Sequence, residues 1–212
     1  MKHKGIIFDM DGTLWDSAEN VAASWNLAIS ELGLKREPIT KEDMYQVMGK
    51  TMDVIADILF PDFGNKYEVL DYCGKRENEY LEEHGGMIYP GVKETLEKLQ
   101  KEYGLYIVSN CQIGYIEAFL HYYGLERYFK DTLCYGENKL QKGDNIALMV
   151  KRNKLDAAVY VGDIQADYEA SCHAGTAFIH AAYGFGKIND MVPEMERFSD
   201  LPDILDKVDG FR

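Results

Sequence analysis

Positive charge is the first thing this chain is short of. Its 212 residues hold 23 Lys and Arg against 36 Asp and Glu, a formal net charge of -13 at pH 7. Proteins that grip a phosphodiester backbone need clustered Lys and Arg, so nucleic acid is not an expected partner. Cysteine is sparse as well. Cys73, Cys111, Cys134 and Cys172 are scattered and form no C-x-x-C pair; reduced, mostly buried thiols of a cytosolic protein account for them. The histidines, His3, His84, His121, His173 and His180, stand at irregular gaps and make no metal cluster by spacing. No apolar run approaches the length of a membrane span. The run that follows Met1-Lys2-His3-Lys4 is too short for a signal-peptide core. These absences point to a cytoplasmic chain with no membrane partner. Low-complexity tracts and internal repeats are also missing. What remains is an ordinary globular balance, 46% hydrophobic and 28% charged, in a chain long enough for one large domain or two small ones. The acid surplus serves solubility and is compatible with a divalent-cation site.

The pattern along the chain divides in three. Gly5–Phe8 reads as a buried strand, stopped by the turn signal Asp11-Gly12. From Asp16-Ser17, a helix cap by type, the pattern is helical as far as Gly85-Gly86. Val21, Trp25, Ala28 and Leu32 share one face of a helix ended by Gly33. Further helices start near Thr40, near Thr51 and after Gly64, and no strand is expected between Asp16 and Gly86. This block reads as a small helical bundle inserted after the first strand. From Tyr89 onward strands and helices alternate. Strands are expected at Leu105–Val108, Asp131–Tyr135, Ala157–Val161 and Ala177–His180. Helices are expected after Pro90-Gly91, over Ile113–Tyr123, over Lys142–Asn153, after Asp163, and around Leu201–Val208. Such alternation implies a parallel sheet covered on both faces. Right-handed crossovers then bring all strand C-termini to one edge, where open α/β sheets bind ligands.

That edge gathers Asp9, Asp11, Ser109, Asn110, Asp163 and Lys142, with Asp167 one helical turn beyond. Singly, each has a plain structural reading: a turn at Asp11-Gly12, a helix cap at Ser109-Asn110, a surface lysine, a first-turn acid. Those readings do not explain why all of them converge. Together they suit phosphoryl transfer. One carboxylate can attack phosphorus and form an acyl phosphate, and a second can protonate the leaving oxygen and then activate water. Mg²⁺ favours carboxylates, waters and phosphate oxygens. A lysine and a hydroxyl can hold the remaining phosphate oxygens. The two acids of Asp9-Met10-Asp11 are expected to leave the strand end in different directions, one toward the metal and one toward the leaving group.

Asp9-x-Asp11-Gly12-Thr13-Leu14-x-Asp16-Ser17, Tyr106-Ile107-Val108-Ser109-Asn110 and Val161-Gly162-Asp163-x-x-x-Asp167 carry a resemblance over nearly the whole chain. The chain resembles phosphatases of the haloacid dehalogenase superfamily, in a subgroup similar to phosphoglycolate phosphatases with a helical cap. The resemblance implies a three-layer, Rossmann-like α/β core over residues 1–15 and 88–212, with an all-helical cap inserted at 16–87. It implies Asp9 as nucleophile, Asp11 as acid and base, and Ser109 with Asn110 as phosphate-binding groups. Mg²⁺ would be held by the Asp9 and Asp163 carboxylates and the Asp11 backbone carbonyl, with Asp167 supporting the metal site. Lys142 is the chosen phosphate lysine although Gly143 stands where close relatives often have proline; Lys139 is the alternative. The crossings at Leu14–Trp15 and Gly86–Tyr89 would be hinges. Lys50, in Gly49-Lys50-Thr51, is expected either to reach the leaving group or to mark a plain helix break. Tyr183-Gly184-Phe185-Gly186 either borders the site or is a glycine loop, and Cys111 is a small apolar filler beside the phosphate pocket.

The expected activity is Mg²⁺-dependent hydrolysis of a small phosphorylated metabolite by a monomer or weak homodimer. The rivals are a sugar-phosphate phosphomutase on the same scaffold and a phosphate-responsive signalling module without turnover.

Overall fold

The computed structural model describes residues 3–208 and residue 211; Met1 and Lys2, part of the N-terminal segment weighed above, lie outside them. In chain order the elements are β1 (Lys4–Phe8), β2 (Trp15–Asp16), α1 (Ala18–Glu31), α2 (Lys41–Val47), α3 (Met52–Leu59), α4 (Lys66–His84) and β3 (Met87–Ile88). Then come α5 (Val92–Leu99), β4 (Gly104–Ser109), α6 (Tyr115–Tyr123), β5 (Phe129–Cys134), α7 (Tyr135–Asn138) and α8 (Lys142–Arg152). The chain finishes with β6 (Ala157–Gly162), α9 (Gln165–Ala174), β7 (Ala177–Ala181), β8 (Glu194–Met195) and α10 (Leu201–Leu205).

Among the described residues the main sheet has six strands in the order β5-β4-β1-β6-β7-β8, all parallel. β1 is therefore central, flanked by β4 and β6. Its side chains alternate between two cores, as a strand covered on both faces requires. Ile6 and Phe8 join Leu96 of α5 and Phe119 of α6, while Ile7 joins Ile146 and Met149 of α8. Asp9 continues the ladder, its N–H donating to the Val161 carbonyl at 2.9 Å. Its parity is that of Ile7, so it emerges on the face covered by α8 and α9, the helices that bear Lys142 and Asp167.

Strand alternation by itself would put Asp9 and Asp11 on the same face. They part because the chain turns at once: the Met10 carbonyl accepts from the N–H groups of Thr13 (3.0 Å) and Leu14 (2.7 Å). Gly12 takes φ 78° within this turn, and a Cβ there would sit 2.0 Å from an Asp163 carboxylate oxygen. Both the left-handed backbone and the close approach demand glycine.

The helical block holds α1–α4 and no strand of the main sheet. Its two crossings pair with each other as an antiparallel ribbon, Trp15 opposite Ile88 and Asp16 opposite Met87, which single-chain periodicity over two residues does not reveal. Other boundaries also moved. Leu32 lies past the end of α1 and is 40% exposed. Tyr135 starts α7 instead of ending a strand. The first helix is capped by Asp16, whose Oδ1 accepts the Ala18 N–H at 3.0 Å, and the Ser17 side chain is free for another use. No helix among the described residues is long and apolar enough to cross a membrane.

Candidate active site

Asp9 is 2% exposed at the C-terminal tip of the central strand. Lys142 Nζ lies 3.0 Å from Asp9 Oδ1 and 2.6 Å from Asp167 Oδ1. Asp167 Oδ2 accepts the backbone N–H groups of Asp163 (3.0 Å) and Ile164 (3.2 Å), so both of its oxygens are occupied. Asp163 Oδ2 accepts the Phe185 N–H at 2.7 Å, and the Asp163 carbonyl meets His180 Nε2 at 3.2 Å. The Tyr183–Gly186 loop thus borders the site. Tyr183 donates to the Thr13 carbonyl at 2.6 Å, and Gly184 leaves room for Asp163, which a Cβ there would meet at 2.4 Å.

Asp9, Asp163 and Asp167 each place a carboxylate oxygen within 4.8 Å of the others. The charges do not balance, with three buried acids around one ammonium. Burial, helped by Asp167 and Asp11 and opposed by Lys142, pushes Asp9 up to about 7. Burial and the charges of Asp167 and Asp9 hold Asp163 well above the ordinary carboxylate range. Burial works against the charged form of Lys142, but Asp167 and Asp9 more than offset it and keep it an ammonium. A cluster of hard oxygen donors with two uncompensated negative charges fits a divalent cation such as Mg²⁺. Asp167 is taken up by Lys142 and two backbone donors, which leaves Asp9 and Asp163 as the carboxylates best placed to hold one.

Asp11 faces elsewhere. Its Oδ1 accepts hydrogen bonds from Ser17 Oγ and Tyr115 Oη, both at 2.7 Å. Burial raises its pKa, and these two bonds oppose the rise. Ser109 is buried at the end of β4 and lines the same chamber as Asp11. Asn110 is already committed on one side, its Nδ2 donating to the Gly49 carbonyl at 2.8 Å across to the helical block; its Oδ1 is buried and unpartnered among the described residues, as is Thr13 Oγ1. Lys139 is not with this group, its ammonium lying over the Tyr135 ring, 5.0 Å from the centroid. Lys50 does line the chamber over the acids. That chamber is a cavity of about 50 Å³ between Asp9, Asp11 and Ser109 on one side and Trp25, Val47 and Glu77 on the other.

Glu77 was not among the expected site residues. It is 4% exposed and accepts a hydrogen bond from Trp25 Nε1, and among the described residues no Lys or Arg pairs with it. A signal was present: Leu70, Cys73, Glu77 and Leu81 follow helical spacing, and all four are buried on α4. An acid on an apolar stripe marks a carboxyl turned inward. Burial pushes Glu77 up to about 8. The folded protein therefore retains a proton that the unfolded chain releases above about 4.5. Stability must fall as pH rises through that window and level off above it. Glu77→Gln is expected to remove a penalty on the order of 5 kcal/mol at pH 9, seen as a higher and flatter thermal midpoint between pH 5 and 9 than that of the wild type. Parallel wild-type and variant curves would refute it.

Ser17 and Tyr115 were also missed as partners of Asp11. Asp16-Ser17 has the residue types of a helix cap, and Tyr115 is 104 residues from the acid that it touches.

The sequence model for haloacid dehalogenase-like hydrolases matches residues 6–181. The phosphoglycolate phosphatase of Aquifex aeolicus (strain VF5) is 30% identical over 212 residues, covering 95% of this chain and 96% of that one. That of Vibrio parahaemolyticus serotype O3:K6 is 29% identical over 199 residues, covering 86% and 85%. Among solved structures, a predicted phosphoglycolate phosphatase from Haemophilus somnus 129PT superposes with a TM-score of 0.78 at 24% identity, covering 96% of this chain and 98% of that one. CbbY from Rhodobacter sphaeroides, solved with phosphate, gives 0.80 at 18% identity, covering 95% and 96%. At these identities the two structures speak for the fold alone. The chain belongs to the haloacid dehalogenase-like hydrolases.

Proposed function

We propose that this hydrolase is a Mg²⁺-dependent phosphatase that cleaves a small phosphorylated metabolite through an aspartyl-phosphate. The observation that carries the reading is Asp9 at the tip of the central strand, bound to Lys142 and clustered with Asp163 and Asp167. An Asp9 oxygen attacks phosphorus and the bond to the leaving oxygen breaks, while Asp11 gives that oxygen its proton. Asp11 then takes a proton from water, which attacks the phosphorus of the acyl phosphate and returns Asp9 and inorganic phosphate. Ser109, Asn110 and Lys142 hold the phosphate oxygens. The Asp9 and Asp163 carboxylates and the Asp11 carbonyl would hold Mg²⁺, with Asp167 fixing Lys142 and the Asp163 backbone. When bound, the ion offsets repulsion between the carboxylate and the anionic phosphate.

The proposal includes the division into a core, 1–15 and 88–212, and a cap, 16–87, whose chamber-facing side selects the leaving group. Lys50 is the cap residue proposed to touch it. The relatives' name puts phosphoglycolate first among substrates to try. The enzyme is proposed to be cytoplasmic, a monomer or weak homodimer, with neither nucleic acid nor membrane as partner.

The test is phosphate release from phosphoglycolate, sugar phosphates, nucleotides and pyrophosphate, with Mg²⁺ and after chelation. Turnover is expected only with the metal. Isomer formed from a sugar phosphate without free phosphate would establish a mutase, and a stable aspartyl-phosphate without turnover would establish a signalling module. Mg²⁺ at about 100 times its Kd is also expected to add roughly 2.7 kcal/mol to folding stability, measured as a rise in thermal midpoint that Asp163→Asn abolishes. An equal rise in that variant would remove Asp163 from the metal site.

A further inference from the structure

Tyr115 is 2% exposed on α6, its ring packed edge-on against Trp15 with centroids 5.6 Å apart. A phenylalanine would serve that packing equally. The hydroxyl, in contrast, is costly to bury unless bonded. It lies 2.7 Å from Asp11 Oδ1 and 2.7 Å from Ser17 Oγ. Both hydroxyls thus converge on one carboxyl oxygen, which restrains the carboxyl from rotating and leaves Oδ2 without a hydroxyl partner in a residue that lines the chamber. Ser17 stands where the chain enters the helical block and Tyr115 on the helix beneath the sheet, so Asp11 is referenced to both.

We propose that Tyr115 is the positioning residue of the acid–base: its hydroxyl holds Asp11 Oδ1 so that Oδ2 meets the leaving oxygen. This rests on the phosphatase reading. Positioning of a general acid governs only the part of the rate that proton transfer supplies, on the order of 10²–10⁴-fold. The effect must therefore depend on the leaving group. An alkoxide needs a proton as it departs, whereas p-nitrophenolate does not.

The experiment compares kcat/KM of wild type, Tyr115→Phe, Asp11→Ala and the double variant on p-nitrophenyl phosphate and on an alkyl ester that the wild type turns over. This ratio reports the step in which Asp9 is phosphorylated. Tyr115→Phe is expected to lose about tenfold to hundredfold on the alkyl ester, in kcat more than in KM, and less than about threefold on the aryl ester. In the Asp11→Ala background it should lose nothing further. Equal losses on both esters, no loss on the alkyl ester, or additive loss without Asp11 would overturn the assignment. Should Tyr115→Phe fail to fold, Ser17→Ala breaks the second bond to the same oxygen and is held to the same leaving-group test. A wild type inert toward every ester would fail the phosphatase reading, and this assignment with it.

Discussion

Asp9→Asn is expected to lower Mg²⁺-dependent turnover of an activated aryl phosphate by about 10⁵-fold, within the range seen when an enzyme loses its nucleophile. An amide oxygen is a poor nucleophile toward phosphorus, and the substitution also removes the charge of one proposed metal ligand. The fold should survive. Asn is isosteric with Asp, and Lys142 retains its 2.6 Å partner, Asp167. The metal-free variant should even gain stability, because Asp9 is one of three buried acids set around a single lysine and is pushed up to about 7 by burial and by its neighbours. Loss of turnover with an unchanged or raised thermal midpoint is the expected pair of results. A variant that keeps full Mg²⁺-dependent turnover would refute the nucleophile.

Lys142→Met is expected to cost about 3–5 kcal/mol of stability, as when one partner of a buried ion pair is removed. It leaves Asp9, Asp163 and Asp167 buried without a protein cation. In a chain of this size that is a fall in thermal midpoint on the order of 10 °C. Activity should fall with it, since the ammonium is also the group proposed to hold the phosphate. Adding Asp167→Asn should restore much of the stability. The Asn oxygen can still accept the N–H groups of Asp163 and Ile164, and its amide can donate toward Asp9 in place of the lysine. The coupling between the two substitutions, read from the four midpoints, should be 1 kcal/mol or more. Strict additivity would mean that the pair does not act as a unit.

Much of this was legible in the chain. The parallel sheet followed from the alternation of short apolar runs with helical segments after Tyr89, because parallel neighbours need a crossover between them. The convergence of Asp9, Ser109 and Asp163 followed from the common edge that right-handed crossovers enforce. Choosing Lys142 over Lys139 followed from its place before a helical pattern, and the structure sets Lys142 against Asp9 while Lys139 lies over Tyr135. Two-residue strands and the partners of Asp11 were not legible. A ribbon as short as Trp15–Asp16 with Met87–Ile88 carries no measurable period, and a hydrogen bond between residues 104 apart leaves no trace in local spacing.

The amino-acid order by itself determined the class of sheet, the inserted helical block and the cluster of acids with its lysine, since each depends on periodicity or on strand-end position. Only the tertiary structure decided what each acid meets. Asp9 follows the parity of Ile7 onto the α8–α9 face, the turn at Met10 carries Asp11 toward Ser17 and Tyr115, and α4 brings Glu77 over the same chamber. Those outcomes depend on chain direction after a turn and on packing between distant helices, which one-dimensional spacing does not encode.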